Sequence, residues 1–322
     1  MPDVLLCTER FWSEFGTRVT ALAPTIDGVR LTGGAQLEQA ELDRVTIAFW
    51  SPDTYPDGVR PFLGAARRAP NLRWFQSFFA GTDNPVFGEL RGKGTIVTSA
   101  AGSNAAPIAQ MVMAYLLSFA CDLPRLHLDQ AQRRWDPGAV TELAGMRLVI
   151  VGLGSIGQQV ARLGGAFGMD VIGLRRRPQG DEPCETWTDD RLHEALASAD
   201  AVVVCAPLTD RTRGMIGNEQ FARMRRGAWF VNVGRGEIVD EPAMVAALRS
   251  GQIGRAGLDV FAFEPLPDDS ELWSMPNVIV TPHMSGTSDP SDLRAVELFF
   301  DNLARWVAGE QLRNVSRQEL TR

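Results

Sequence analysis

The chain has 322 residues, 45% of them hydrophobic and 22% charged, with a formal net charge of −7. This is length enough for two domains with separate cores, and the acidic balance argues against a nucleic-acid partner or binding to an anionic membrane. Cys7, Cys121, Cys184 and Cys205 show no Cys-x-x-Cys spacing, which suggests neither a zinc site nor a redox pair, leaves no metal site to expect, and fits a reducing, cytoplasmic setting.

The start of the chain has no basic stretch leading into an apolar core, so no secretory leader is expected. Val4-Leu5-Leu6-Cys7, Val45-Thr46-Ile47-Ala48-Phe49, Leu72-Arg73-Trp74-Phe75 and Thr95-Ile96-Val97-Thr98 are predicted strands, with helical stretches between them. That alternation predicts a parallel sheet with helices on its faces. Gly102-Ser103-Asn104 signals a helix start. The apolar helix that follows, about residues 105–120, is too short for a membrane span and is interrupted by Gln110, so it is expected to be buried. His127 and His193 fall in polar helical stretches and are expected at the surface.

From Met146 onward six strands are predicted, at 147–151, 170–174, 201–205, 229–232, 255–259 and 278–281, and Cys205 at a strand end reads as a buried thiol. The helix over 293–307 would not extend that sheet and is expected to return to the first domain. The resulting fold class is α/β: two Rossmann-like or flavodoxin-like domains, one of them a doubly wound parallel sheet. The division is 1–100 and 287–322 for a discontinuous substrate domain, and 101–286 for a dinucleotide-binding domain.

The assignment of that second domain rests on a glycine turn. Leu148-Val149-Ile150-Val151 runs into Gly152-Leu153-Gly154-Ser155-Ile156-Gly157, followed by a helical stretch. A G-x-G-x-x-G alone equally serves an ordinary tight turn. After a strand and before a helix, it lets a backbone approach a pyrophosphate that rests on the helix N-terminus. Arg175 stands 18 positions after Gly157, against about 20 for the residue that reads the adenosine ribose. That residue is ordinarily Asp or Glu, which suits the 2′-hydroxyl of NAD. Arg175-Arg176-Arg177 instead suits a 2′-phosphate, through paired charged hydrogen bonds, so NADP(H) is favoured over NAD(H). The plain alternative is a solvated basic loop. Arg175 and Arg176 are the better placed, because Arg177 lies further from the strand end.

Three more residues sit at strand ends, where ligands bind in such sheets: Arg235 between Gly234 and Gly236, Glu264 before Pro265, and His283 after Pro282. Singly, each has a dull reading: a turn-closing arginine, an exposed loop glutamate, a strand-capping histidine. Together they are what reduction of a 2-oxo acid needs. An imidazolium gives a proton to the carbonyl oxygen. A carboxylate raises its pKa and fixes the ring. An arginine clamps the substrate carboxylate and polarises the developing alkoxide.

These motifs resemble the D-isomer-specific 2-hydroxyacid dehydrogenases, here of the NADP-type glyoxylate/hydroxypyruvate reductase kind. The residues that carry the resemblance are the Gly152 to Gly157 turn, Cys205-Ala206-Pro207-Leu208-Thr209 with Thr212, Asn232-Val233-Gly234-Arg235-Gly236, Gly257-Leu258-Asp259-Val260-Phe261 with Glu264-Pro265-Leu266-Pro267, and Pro276-Asn277-Val278 with Thr281-Pro282-His283. The resemblance is dense over about 143–286 and loose elsewhere. It implies a cofactor domain inserted into a substrate domain built from both chain ends. It implies that Asp259 holds the nicotinamide carboxamide, and that Ala206, Pro207, Thr212 and Val233 border the cofactor. It implies that the amides of Ala80 and Gly81, in Phe78-Phe79-Ala80-Gly81-Thr82-Asp83, bind the substrate carboxylate, that Asn104 borders the reacting centre, and that the segment around Trp135 mediates a homodimer.

Two positions depart from the family's pattern: Gln110 stands where many members have Glu, and Arg175 stands in place of the ribose-binding Asp. A formate or phosphite dehydrogenase of the superfamily is the nearest rival: Gly102-Ser103-Asn104 and Ser285-Gly286-Thr287-Ser288 resemble formate dehydrogenases, but those pair the histidine with Gln rather than Glu. Phosphite dehydrogenases keep the Glu. A dinucleotide-sensing corepressor is the alternative of a different class.

Overall fold

The computed structural model describes residues 2–33, 36–55, 57–81 and 84–316. Thr82 and Asp83 of the expected substrate loop lie outside the described residues. The chain divides into two compact units: Met1–Ser103 with Ser288–Arg322, and Asn104–Thr287.

The first unit runs β1 (Val4–Thr8), α1 (Glu9–Leu22), β2 (Asp27–Leu31), α2 (Gln39–Leu42), β3 (Ile47–Trp50), α3 (Val59–Arg68), β4 (Trp74–Ser77), α4 (Pro85–Gly92) and β5 (Ile96–Thr98). The strands form one parallel sheet in the order β2-β1-β3-β4-β5. Alternation along β1 feeds two cores. Val4 and Leu6 pack with Phe62, Phe75 and Phe87. Leu5 and Cys7 pack with Phe11, Phe49 and Phe299. Phe299 comes from the helix at the far end of the chain, Asp289–Ala308, which belongs to this unit.

The second unit begins with α5 (Ala105–Ala120) and α6 (Leu123–Ala131), then runs β6 (Arg147–Val151), α7 (Ser155–Ala166), β7 (Asp170–Leu174), β8 (Glu185–Trp187), α8 (Leu192–Ser198), β9 (Ala201–Val204), α9 (Asn218–Arg223), β10 (Ala228–Asn232), α10 (Glu241–Arg249), β11 (Ile253–Leu258) and β12 (Val278–Val280); the helix Asp289–Ala308 is α11. The strand order is β12-β11-β10-β9-β6-β7-β8, all parallel. Order reverses between β6 and β9, so the crevice at their carboxyl ends is the switch point where such sheets bind ligands. Helices cover both faces. Val149 and Val151 point to the layer of α8 to α10, Leu148 and Ile150 to that of α5 and α7.

The sheet has seven strands rather than the six predicted. The extra one, Glu185-Thr186-Trp187, is a short edge strand with little apolar signal. β2 was likewise hidden, since Asp27-Gly28-Val29-Arg30-Leu31 offers only two large apolar residues. β4 begins at Trp74 rather than Leu72. α5 is buried along most of its length, and Gln110 lies on its exposed side. No single helix among the described residues is long and apolar enough to cross a membrane.

Candidate active site and cofactor turn

The turn after β6 is shaped by contact. Gly152 has φ +100°, and a Cβ there would lie 2.6 Å from the Ala206 backbone across the switch point. A Cβ on Gly157 would lie 2.3 Å from the Gly152 carbonyl oxygen. These two glycines bring α7 hard against the strand end. Gly154 differs: a Cβ there would meet nothing within 4 Å, and no side chain caps α7. The first-turn amides at Ser155 and Ile156 therefore open outward at the positive end of the helix dipole. A dinucleotide pyrophosphate fits this turn.

Other predicted cofactor residues sit around it. Ala206 and Val233 are buried beyond the ends of β9 and β10, and Pro207 is exposed. The Val233 amide donates to the Val204 carbonyl at 3.1 Å. Thr212 closes its loop: its hydroxyl donates to the Pro207 carbonyl at 2.7 Å and accepts from the Thr209 amide at 2.8 Å. Cys205 is half-buried rather than buried, and desolvation pushes its thiol up to about 12. Arg175 follows β7 directly. Its Nη1 donates to Glu182 Oε1 at 3.1 Å, while Arg176 and Arg177 lie exposed.

Arg235, Glu264 and His283 come together at neighbouring strand ends. Buried Asn232 shapes the arginine's turn, accepting from the Gly234 amide at 3.1 Å and donating to the Arg235 carbonyl at 3.2 Å. Gly236 then presses on the next loop, where its Cβ would fall 1.9 Å from the Phe261 carbonyl carbon. That contact fixes the arginine's turn against the segment bearing the glutamate. Glu264 Oε1 accepts the Phe261 amide at 3.0 Å, and Oε2 lies 2.7 Å from His283 Nδ1.

The pair is electrostatically matched. The hydrogen bond to Glu264 raises the His283 pKa above the ordinary imidazole value, against burial and the charge of Arg235. Burial alone would raise Glu264, but the His283 hydrogen bond, the Phe261 amide and the His283 and Arg235 charges together bring it below the usual carboxylate range. With Nδ1 held by the carboxylate, Nε2 is the ring nitrogen left to exchange a proton.

His283 itself adopts φ 49°, a left-handed conformation that costs a β-carbon-bearing residue about 1–2 kcal/mol. Asp259 holds it there. Its carbonyl accepts the His283 amide at 2.9 Å. Its buried carboxylate accepts from the Thr281 hydroxyl, the Met284 amide, and the amide and hydroxyl of Ser285. Thr281 is bonded in turn to the hydroxyl of Tyr115 on α5, at 2.5 Å. Thr281 stood in the quoted motif, but nothing in the sequence marked it, Ser285 or Tyr115 as partners of Asp259.

Asn104 precedes α5 and packs on Gly286, whose Cβ would lie 3.1 Å from Asn104 Nδ2; its own Oδ1 is buried with no hydrogen-bond partner. Ala80 and Gly81 are half-buried in the first unit, beyond β4. Trp135 is 94% exposed after α6. His127 is exposed, whereas His193 is half-buried and lies 3.2 Å from the Gln220 amide nitrogen.

Residues 113–285 match the D-isomer specific 2-hydroxyacid dehydrogenase, NAD binding domain. The chain belongs to the D-isomer specific 2-hydroxyacid dehydrogenase family. Its members are oxidoreductases that act on CH–OH groups, and the domain matched binds NAD(P). The chain is 34% identical over 262 residues to a D-3-phosphoglycerate dehydrogenase of Methanocaldococcus jannaschii, covering 80% of this chain and 50% of that one, so it spans about half of that relative's length. It is 34% identical over 265 residues to a glyoxylate reductase of Korarchaeum cryptofilum, covering 79% of each. A D-isomer specific 2-hydroxyacid dehydrogenase from Xanthobacter autotrophicus Py2, solved with NADPH and MES, superposes with a TM-score of 0.78 at 32% identity, covering 98% of each chain. In this family setting the seven-stranded unit is the nucleotide-binding sheet.

Proposed function

We propose that this chain reduces small 2-oxo acids of the glyoxylate or hydroxypyruvate kind, using NADPH. The observation that carries the proposal is the His283–Glu264 pair at 2.7 Å with Arg235 near enough to act on the charge of both. A bound reduced nicotinamide supplies the hydride. The residues do the rest. His283 holds a proton at Nε2 and gives it to the substrate carbonyl oxygen. Glu264 keeps the ring protonated and oriented. Arg235 binds the substrate carboxylate and stabilises charge developing on the carbonyl oxygen.

The pyrophosphate rests on Gly154, Ser155 and Ile156, with Gly152 and Gly157 shaping the turn. Arg175 and Arg176 contact the 2′-phosphate. Ala206, Pro207, Thr212 and Val233 border the cofactor. Asp259 holds the carboxamide as well as the His283 turn. The family resemblance assigns Ala80 and Gly81 amides to the substrate carboxylate and puts Asn104 beside the reacting centre. It also puts a homodimer contact at Trp135, supported by the exposed Leu126, Leu128 and Val140 nearby. Four free thiols are in keeping with a cytoplasmic setting. Glu264 where a formate dehydrogenase has Gln favours the 2-oxo acid reading, since formate oxidation needs no proton donor.

The test is oxidation of NADPH and NADH in the presence of glyoxylate, hydroxypyruvate, pyruvate and phenylpyruvate, with formate and phosphite assayed for the reverse reaction. Turnover with a short 2-oxo acid, faster with NADPH, is expected. Dinucleotide binding without turnover of any 2-oxo acid would replace the enzyme with a sensing protein. A preference for NADH would remove the argument from Arg175.

A further inference from the structure

Arg175 is fixed from two directions by the short segment that follows it. Its backbone amide donates to the Trp187 carbonyl at 2.9 Å, continuing the pairing of β7 with β8. Its guanidinium Nη1 donates to Glu182 Oε1 at 3.1 Å. The same Glu182 carboxylate accepts the Gln179 amide at 2.6 Å and the Gly180 amide at 2.7 Å. Gly180 has φ +88°, which turns its N–H inward. The Glu182 side chain is only 3% exposed. Residues 175–182 thus close into a ring around one carboxylate, and β8 returns the chain to the sheet edge beside Arg175.

We propose that Glu182 is a positioning residue for cofactor choice: it holds the Arg175 guanidinium by one N–H and so presents the remaining N–H groups to the 2′-phosphate of the adenosine ribose. This rests on the reading of Arg175 as the 2′-phosphate contact. A free arginine loses much rotamer freedom when it binds a phosphate. One already held through Nη1 has lost that freedom in advance, and a guanidinium has donors to spare, five N–H in all. The carboxylate does not cancel the site, because its charge is matched by the guanidinium and two amide dipoles. The arrangement also gives β8 a purpose: Arg175 leaves β7 directly, and β8 ties the far side of the ring to the sheet edge through the Trp187 carbonyl.

The experiment measures binding of adenosine 2′,5′-bisphosphate and of 5′-AMP to the full-length protein by isothermal titration calorimetry, in wild type, Arg175→Ala, Glu182→Ala and Glu182→Gln. Wild type should favour the bisphosphate, and Arg175→Ala should abolish that preference. Glu182→Ala should weaken the bisphosphate about tenfold and Glu182→Gln about threefold, with 5′-AMP unchanged, as loss of one charge-assisted orienting bond implies. If Arg175→Ala keeps the preference, the reading of Arg175 fails. If Arg175→Ala loses it while both Glu182 variants keep it, Glu182 has no positioning role. An equal loss for both ligands makes Glu182 merely structural, and a gain for the bisphosphate makes it a competitor of the phosphate; either overturns the proposal. Should Glu182→Ala not fold, the near-isosteric Glu182→Gln decides alone.

Discussion

His283 Nδ1 lies 2.7 Å from Glu264 Oε2, and that carboxylate is held from its other oxygen by the Phe261 amide. The glutamate is therefore aimed before the histidine meets it, and the raised pKa of His283 follows from a fixed partner rather than from a passing surface contact.

The sign of the pH dependence follows. With His283 as the proposed proton donor, reduction would need its imidazolium, so kcat/KM should be flat at low pH and fall as pH rises through the raised His283 value. In Glu264→Gln the main cause of that rise is gone, and the fall should move to lower pH. His283→Ala should lose about 10²- to 10⁴-fold in kcat while NADPH binding, followed by fluorescence titration, stays close to wild type. A pH profile that does not move in Glu264→Gln would separate the glutamate from the proton donor. For stability the pair works only between the two titrations: its contribution is lost as pH falls through the lowered Glu264 value and as pH rises through the raised His283 value.

The glycine turn allows a contrast within one motif. A methyl at Gly154 meets no protein atom, whereas one at Gly157 would stand 2.3 Å from the Gly152 carbonyl oxygen. Gly154→Ala should thus keep the wild-type melting temperature and weaken NADPH binding about tenfold or more, because the added methyl intrudes where the diphosphate approaches. Gly157→Ala should lower the melting temperature as well, since α7 must move away from β6. Equal melting temperatures for the two variants would contradict the packing described.

The same contrast explains what the sequence made legible. Gly152, Arg235 and His283 announce themselves because strand-end loops need particular residue types at fixed spacing. The five long apolar strands of the nucleotide-binding sheet read clearly because both their faces are buried. β2 and β8 did not: Asp27-Gly28-Val29-Arg30-Leu31 carries two large apolar residues and Glu185-Thr186-Trp187 has no apolar run, whereas the edge strand β12 reads through its unbroken Val278-Ile279-Val280. Glu182 was invisible for another reason. A lone carboxylate in a polar loop looks solvated until the fold wraps the Gln179 and Gly180 amides around it. The Asp259 cradle was half visible: Asp259 and Thr281 stand in recognisable motifs, but their joining to Tyr115 on α5 is a tertiary contact across 166 positions.

The segment after α6 bears on assembly. Trp135 is 94% exposed, and Leu128 and Val140 are 57% and 67% exposed. Apolar side chains this open and this close in sequence fit burial against a second copy. Sedimentation equilibrium should find a dimer, and Trp135→Arg should shift it toward monomer with the far-UV circular dichroism unchanged. A monomeric wild type would remove the assignment.

Asn302 tests how α11 is tied to the first sheet. It is fully buried, with Nδ2 donating to Gln76 Oε1 at 2.9 Å and Oδ1 accepting the Arg313 amide at 2.7 Å. Gln76 Oε1 also accepts from Thr98, whose hydroxyl takes the Trp74 indole N–H. Asn302 thus links the helix to two strands and to the chain beyond it, through a buried bond to Gln76 and a part-buried one to Arg313. Truncation leaves the Arg313 amide without its acceptor and opens a small cavity beside Gln76. Asn302→Ala should cost about 2–3 kcal/mol, read as a lower urea midpoint at unchanged m. Asn302→Asp should do no better, because the carboxylate keeps the Arg313 bond but sets a buried charge against the Gln76 oxygen. A midpoint within error of wild type for Asn302→Ala would mean that the other contacts of α11, among them the core packing of Val296, Phe299, Phe300 and Leu303 and the Trp306 bond to Asp3, suffice to hold it in place.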